Sequence, residues 1–184
     1  MIRPEFRKLL MDQRGAAVIL WSFFMISIVI YIVIAQNVLA NPKYAQGLSF
    51  AETARIVLWI LVLVDIGYYI FWKRRYLTPQ AILDKSQKTK LFRALQEYKG
   101  SVEERAASVV STFVTRKVVI FAIIEAIAVY GFVLAIVGRY LLDQYLLSAL
   151  SLALLVFEFP WERFLESLLQ KIDEPPKTLR AQKA

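Results

Sequence analysis

The stretch IIEAIAVYGF, residues 123–132, sets one carboxylate, Glu125, and one phenol, Tyr130, in otherwise apolar sequence. A second acid, Asp65, stands in the equally apolar LVLVDIGYYIFW, residues 61–72. Neither run contains a lysine or arginine to pair with its acid. An ionised carboxylate in hydrocarbon costs about 2.5–3.5 kcal/mol near the centre of a membrane helix, so the neutral acid is the cheaper form. A second carboxyl nearby favours it further, because two like charges resist sharing one site. A group held in this way binds and releases a proton whenever water or a base reaches it. Glu125 and Asp65 therefore read as proton-binding residues, with helix–helix hydrogen bonding as the structural alternative. Tyr68, Tyr69 and Tyr130 can donate to the acids, but read first as packing aromatics. A third acid, Glu158, lies close enough to the end of its apolar run to reach water, and reads as an ordinary border residue.

Ala128, Gly131 and Ala135 recur at helical spacing after Glu125 and form a small-residue face for helix packing. Other chemistry is excluded by what the chain lacks. There is no Cys, and so no disulfide, thiol nucleophile or thiolate metal site. There is no His, which removes the commonest metal ligand and the usual neutral-pH general base. No GxGxxG or GxxxxGK[ST] run offers a phosphate cradle. No cofactor or metal site is expected, and the chain does not read as an enzyme.

The elements that must position these acids are membrane spans. The chain is 58% hydrophobic with a mean hydropathy of +0.51, above the roughly 45–50% of soluble domains. The apolar residues gather in four runs, 16–35, 56–72, 118–138 and 144–160. Each is about the length a bilayer core requires. No cleavage pattern follows the first run, which reads as an uncleaved anchor. Of the 23 Lys and Arg, twenty fall in the N-terminal tail, the 73–117 segment and the C-terminal tail, and three in the two other loops. The positive-inside rule then puts both termini and the middle segment in the cytoplasm of a plasma or inner membrane. The net charge of +8 is explained by this flanking and implies no nucleic acid. Asp65 precedes Lys73 by eight residues and Glu125 follows Lys117 by eight. In antiparallel helices the two acids would lie at one depth, about 12 Å from the border.

The expected fold is all-α: an N-terminal tail 1–15, a helical hairpin 16–72, a basic helical segment 73–117, a second hairpin 118–160, and a C-terminal helix and disordered tail 161–184. Ser49 with Glu52, and Ser101 with Glu104, have capping-box spacing. Thr78-Pro79 marks a helix start at about 79–99. No breaker follows Ser101 until Gly131, so one long helix is expected to run from about Val102 into the third span. Lys73, Arg74, Arg75, Lys85, Lys88, Lys90 and Arg93 mark a surface for anionic lipids, with packing of the 79–99 helix on 102–117 as the alternative. The segment starting PWERFLESLLQKI reads as an amphipathic helix at the interface, anchored by Trp161.

The run FAIIEAIAVYGFVLAIV, Phe121–Val137, resembles the ion-carrying helix of the proteolipid c subunit of rotary ATPases. It shares a central Glu, small residues after it, a Tyr-Gly pair and a Val/Leu-rich end. The resemblance implies Glu125 as a proton carrier. It favours H⁺ over Na⁺, since Ala126 offers no side-chain oxygen. It covers one helix; the first run, 16–35, has no glycine where that family carries a glycine repeat. The function expected from the whole chain is a non-catalytic membrane scaffold or accessory subunit, as a homo-oligomer or within a larger membrane complex. The alternative is a proton-coupling membrane subunit.

Overall fold

A computed structural model describes residues 4–41, 48–84 and 101–173. Every regular element among them is an α-helix: α1 Pro4–Ala40, α2 Ala51–Tyr76, α3 Pro79–Asp84, α4 Ser101–Gly138, α5 Leu141–Phe157 and α6 Glu162–Asp173. Four stretches are long and apolar enough to cross a membrane: Leu10–Ala40, Ala51–Tyr76, Val102–Gly138 and Leu141–Ile172. They correspond in order to the four apolar runs.

The helices outrun the apolar runs, for reasons visible at their ends. α1 opens on Pro4, whose missing N–H and fixed φ suit a first helical position, with Glu5 in the first turn. The segment expected as a tail is thus mostly helix. α2 continues past Trp72 through Lys73, Arg74 and Arg75, cations that complement the negative end of the helix. α4 is one 38-residue helix starting at Ser101, as the absence of breakers predicts. At its far end Arg139 adopts φ 61°, and its N–H reaches the Ala135 carbonyl at 3.0 Å. Leu48 N–H takes the Val137 carbonyl at 2.9 Å, satisfying another carbonyl left open at the helix end. Gly138 is required there: a Cβ would stand 2.2 Å from the Tyr140 ring.

The chain divides into two units. One comprises residues 1–18, 76–116 and 160–184. In it Thr78 Oγ1 accepts from Ala81 N–H at 3.3 Å, the cap expected of Thr78-Pro79. Arg116 Nη1 donates to the carbonyls of Tyr76, at 2.6 Å, and Ala81, at 3.2 Å, closing the end of α2 and holding α3. Ile82 is fully buried. The described part of α3 is thus bonded to α4, the packing alternative rather than a free membrane-surface helix. The apolar face of α6 is likewise inside the protein. Leu165, Leu168 and Leu169 are fully buried, and Phe164 meets Phe113 with ring centres 5.4 Å apart. The helix is amphipathic as expected, its leucines packed on protein and Trp161 62% exposed.

The other unit comprises residues 19–75 and 117–159. Its core is Val62 of α2, Ile127 and Leu134 of α4, and Leu147 of α5. Ala35 and Leu39 of α1 pack on Ala135. α4 and α5 are the inner helices and α1 and α2 the outer ones. The most apolar parts of Val102–Gly138 and Leu141–Ile172 are 44% and 39% buried, against 11% for those of Leu10–Ala40 and Ala51–Tyr76.

Candidate functional site

α4 carries Glu125 and Tyr130, and the helical repeat decides what each can touch. Five residues turn a helix by about 140°, so the two side chains face different neighbours. Glu125 faces α1. Its Oε1 lies 2.6 Å from Ser27 Oγ and 2.8 Å from Tyr31 Oη, hydroxyls four residues apart on one face of α1. Tyr130 instead lies in hydrogen-bonding range of Asp65 on α2. Side chains on a helix lean towards its N-terminus, so the Tyr130 phenol reaches back to the layer of Asp65. The two acids therefore do not form the single carboxyl pair that equal depth made attractive. Each has its own hydroxyl partners, because depth fixes the layer and rotation fixes the face.

The hydroxyls around Glu125 impose a hydrogen count. Ser27 Oγ is 2.8 Å from the Phe24 carbonyl as well as 2.6 Å from Glu125. A serine has one proton to give. If it goes to the carbonyl, the contact with Glu125 requires a proton on the carboxyl. Ser27 O–H therefore donates to Glu125 or to the Phe24 carbonyl at any one time, while Tyr31 O–H donates to Glu125.

The small-residue face lies where α4 meets α1 and α5. Ala128 and Ala135 are fully buried. A Cβ on Gly131 would come within 3.0 Å of Leu147 Cβ and 3.1 Å of Gln144 Cα. The close approach lets α5 spend its polar side chains on neighbouring backbones. Ser151 Oγ donates to Ile124 C=O at 2.7 Å, and Gln144 Nε2 to Tyr31 C=O at 3.0 Å. Gln144, Ser148 and Ser151 are all buried on one face of α5.

Charge is concentrated at the two ends of this unit. At one end, Glu158 is 2% exposed and does not reach solvent, contrary to its reading as an ordinary border residue. Lys117 Nζ donates to Glu158 Oε2 at 2.6 Å and to its carbonyl at 3.1 Å. Lys73 Nζ and Tyr69 Oη both donate to Oε1, the phenol at 2.7 Å. Lys73 is therefore bound to Glu158 rather than free for lipid, while Arg74 and Arg75 are exposed. Lys85, Lys88, Lys90 and Arg93 lie outside the described residues. At the other end Arg55 grips the buried Asp143 with two bonds, 2.6 and 3.0 Å, and covers the Tyr140 ring at 4.7 Å. Sequence reading missed both clusters, since it took Lys73, Lys117 and Arg55 as separate border charges and Glu158 as a lone acid near the end of its run. The available signal was proximity: Lys73, Lys117 and Glu158 flank three runs at one border, and Arg55 and Asp143 flank two at the other.

Among the described residues no cluster of three or more acids could hold a metal ion. What the unit offers chemically is a pair of ionic clamps at its ends and carboxyl–hydroxyl contacts between them. Comparison with known proteins finds no matching family model, curated protein or solved structure.

Proposed function

We propose that this chain is a multi-pass integral membrane protein with both termini and the 73–117 segment in the cytoplasm. In this reading it serves as a non-catalytic scaffold or accessory subunit, as a homo-oligomer or within a larger membrane assembly. One observation carries it: the buried Asp143, Gln144, Ser151 and Lys117 bond across helices, while α1 and α2 turn apolar surface outwards, with Phe23 65% and Leu63 66% exposed. Side chains spent on interhelical bonds build a rigid unit; they do not line a path or present a nucleophile. The outward face meets lipid tails or a second membrane helix, both apolar. The chain has no native cysteine, so single cysteines at Gln13, Leu48 and Arg163 report orientation directly. The reading requires labelling of positions 13 and 163 from the cytoplasmic side and of 48 from the opposite side. Purification in mild detergent should then give a particle larger than the 21.2 kDa chain; a strict monomer without partners contradicts the assembly role.

A second reading, proton coupling through Glu125, is favoured by the two hydroxyls, Ser27 Oγ and Tyr31 Oη, that meet its carboxyl within an apolar run. It requires that Glu125→Gln assemble normally and abolish a proton-dependent activity of the assembly. It also requires that a carbodiimide, which attacks protonated carboxyls, label position 125 at neutral pH.

A further inference from the structure

The outward face of α2 carries a groove that the interhelical bonds do not use. It is open, about 390 Å³, and lined by Gly67, Ile70, Phe71, Arg74 and Arg75. Spacings of three, four and seven residues put Gly67, Ile70, Phe71 and Arg74 on one helical face. Gly67 supplies the depression: a Cβ there would meet nothing within 4 Å. Ile70 and Phe71 are 43% and 55% exposed and form apolar walls. From Gly67 to Arg74 the helix rises about 10 Å, the length of several methylenes. The groove thus begins apolar and ends at two guanidinium groups.

The charge at its mouth is unspent. The ion pairs among the described residues engage Lys73, Lys117, Arg55 and Arg14. Arg74 and Arg75, next in sequence to Lys73, take part in none of them. Tyr68 lies beside both Phe71 and Trp72, ring centres 6.4 and 5.8 Å away. Aromatic rings next to basic residues mark the level where acyl chains give way to headgroups.

We propose that this groove is a specific site for one anionic phospholipid, with the first part of an acyl chain over Gly67 between Ile70 and Phe71, and the phosphate held by Arg74 and Arg75. Guanidinium groups suit the phosphate because they donate several hydrogen bonds in a fixed fork. The anionic headgroup is selected over a zwitterionic one because none of the described residues lining the groove is a carboxylate that could receive a choline. The site rests on the membrane reading above, and deepens it from general attraction to a defined pocket.

The test uses the full chain, purified and delipidated in detergent, with native mass spectrometry counting bound phosphatidylglycerol against phosphatidylcholine. Wild type should retain one phosphatidylglycerol in preference. Arg74→Gln and Arg75→Gln should each weaken retention about fivefold, the effect of one basic residue at an anionic surface. Gly67→Leu fills the depression without altering charge or strand of contacts, and should abolish the preferred lipid while the protein stays folded. Arg163→Gln, which removes an arginine elsewhere, should change nothing. Normal retention by Gly67→Leu would overturn the proposal in favour of diffuse attraction. Equal retention of phosphatidylcholine would overturn the role of the arginines, and equal binding of glycerol phosphate would show an anion site without lipid. A chain that stays soluble without detergent refutes the membrane reading itself, a different outcome from any of these.

Discussion

Glu158 and Glu125 are the same side chain held in opposite ways. Glu158 sits at one end of its unit with two ammonium groups and a phenol on its oxygens. Glu125 sits along α4 with two hydroxyls on its carboxyl and, among the described residues, no ion pair. The first arrangement stabilises an anion, because opposite charges and hydrogen bonds replace lost water. The second supplies hydrogen bonds from hydroxyls without a counter-charge. Surroundings, not residue type, separate a salt-bridged glutamate from one held by hydroxyls.

The largest expected effect removes the charge from the clamp. Glu158→Gln leaves Lys117 buried without a counter-charge, which should cost about 3 kcal/mol. That is the lower end for breaking a buried pair, since Lys73 is half-exposed and can turn to water. Unfolding in mixed detergent measures it, and Glu158→Gln with Lys117→Met should recover part of the loss. A variant as stable as wild type breaks the comparison on the ionic side. Next comes Gly131→Ala, which drives a methyl against the backbone of α5; overpacking of this kind costs about 1–3 kcal/mol. It sharpens the comparison by asking whether the layers around Glu125 are fixed by close approach or by polar bonds. Ser151→Ala removes one interhelical hydrogen bond and should cost about 0.6 kcal/mol, the average for such bonds in membranes. The smallest effect belongs to Glu125→Gln. An amide can accept from Tyr31 and donate to Ser27 as the acid does, so stability should stay within about 0.5 kcal/mol of wild type. A loss matching that of Glu158→Gln would mean that Glu125 is also an anion with an unrecognised cation partner.

Much of the fold was legible because its signals are local. Apolar run length gave four spanning-length helices, Thr78-Pro79 gave a helix start, and the lack of breakers after Ser101 gave the length of α4. The helix ends were misplaced because Lys73, Arg74 and Arg75 end an apolar run without ending a helix. The partners of the acids were less legible. Counting eight residues from Lys73 and from Lys117 yields depth, and both lysines do meet at Glu158. Depth says nothing about rotation, and rotation turns Glu125 to α1 while Tyr130 takes Asp65. Ser27 and Tyr31 carry no charge and sit in a run rich in similar residues, so nothing in composition marks them as partners, and Tyr69, named as a possible donor, reads first as a packing aromatic. Glu158 was misread because proximity to a border was taken for access to water, whereas Lys73, Lys117 and Tyr69 close over it.

The difference between the two glutamates is tested most directly by infrared difference spectroscopy of the protein in bilayers at neutral pH. Glu125→Gln should remove a protonated-carboxyl C=O band and leave the carboxylate bands unchanged, whereas Glu158→Gln should remove carboxylate intensity and leave the acid band in place. Loss of carboxylate intensity from Glu125→Gln, with no acid band in the wild type, would contradict the account.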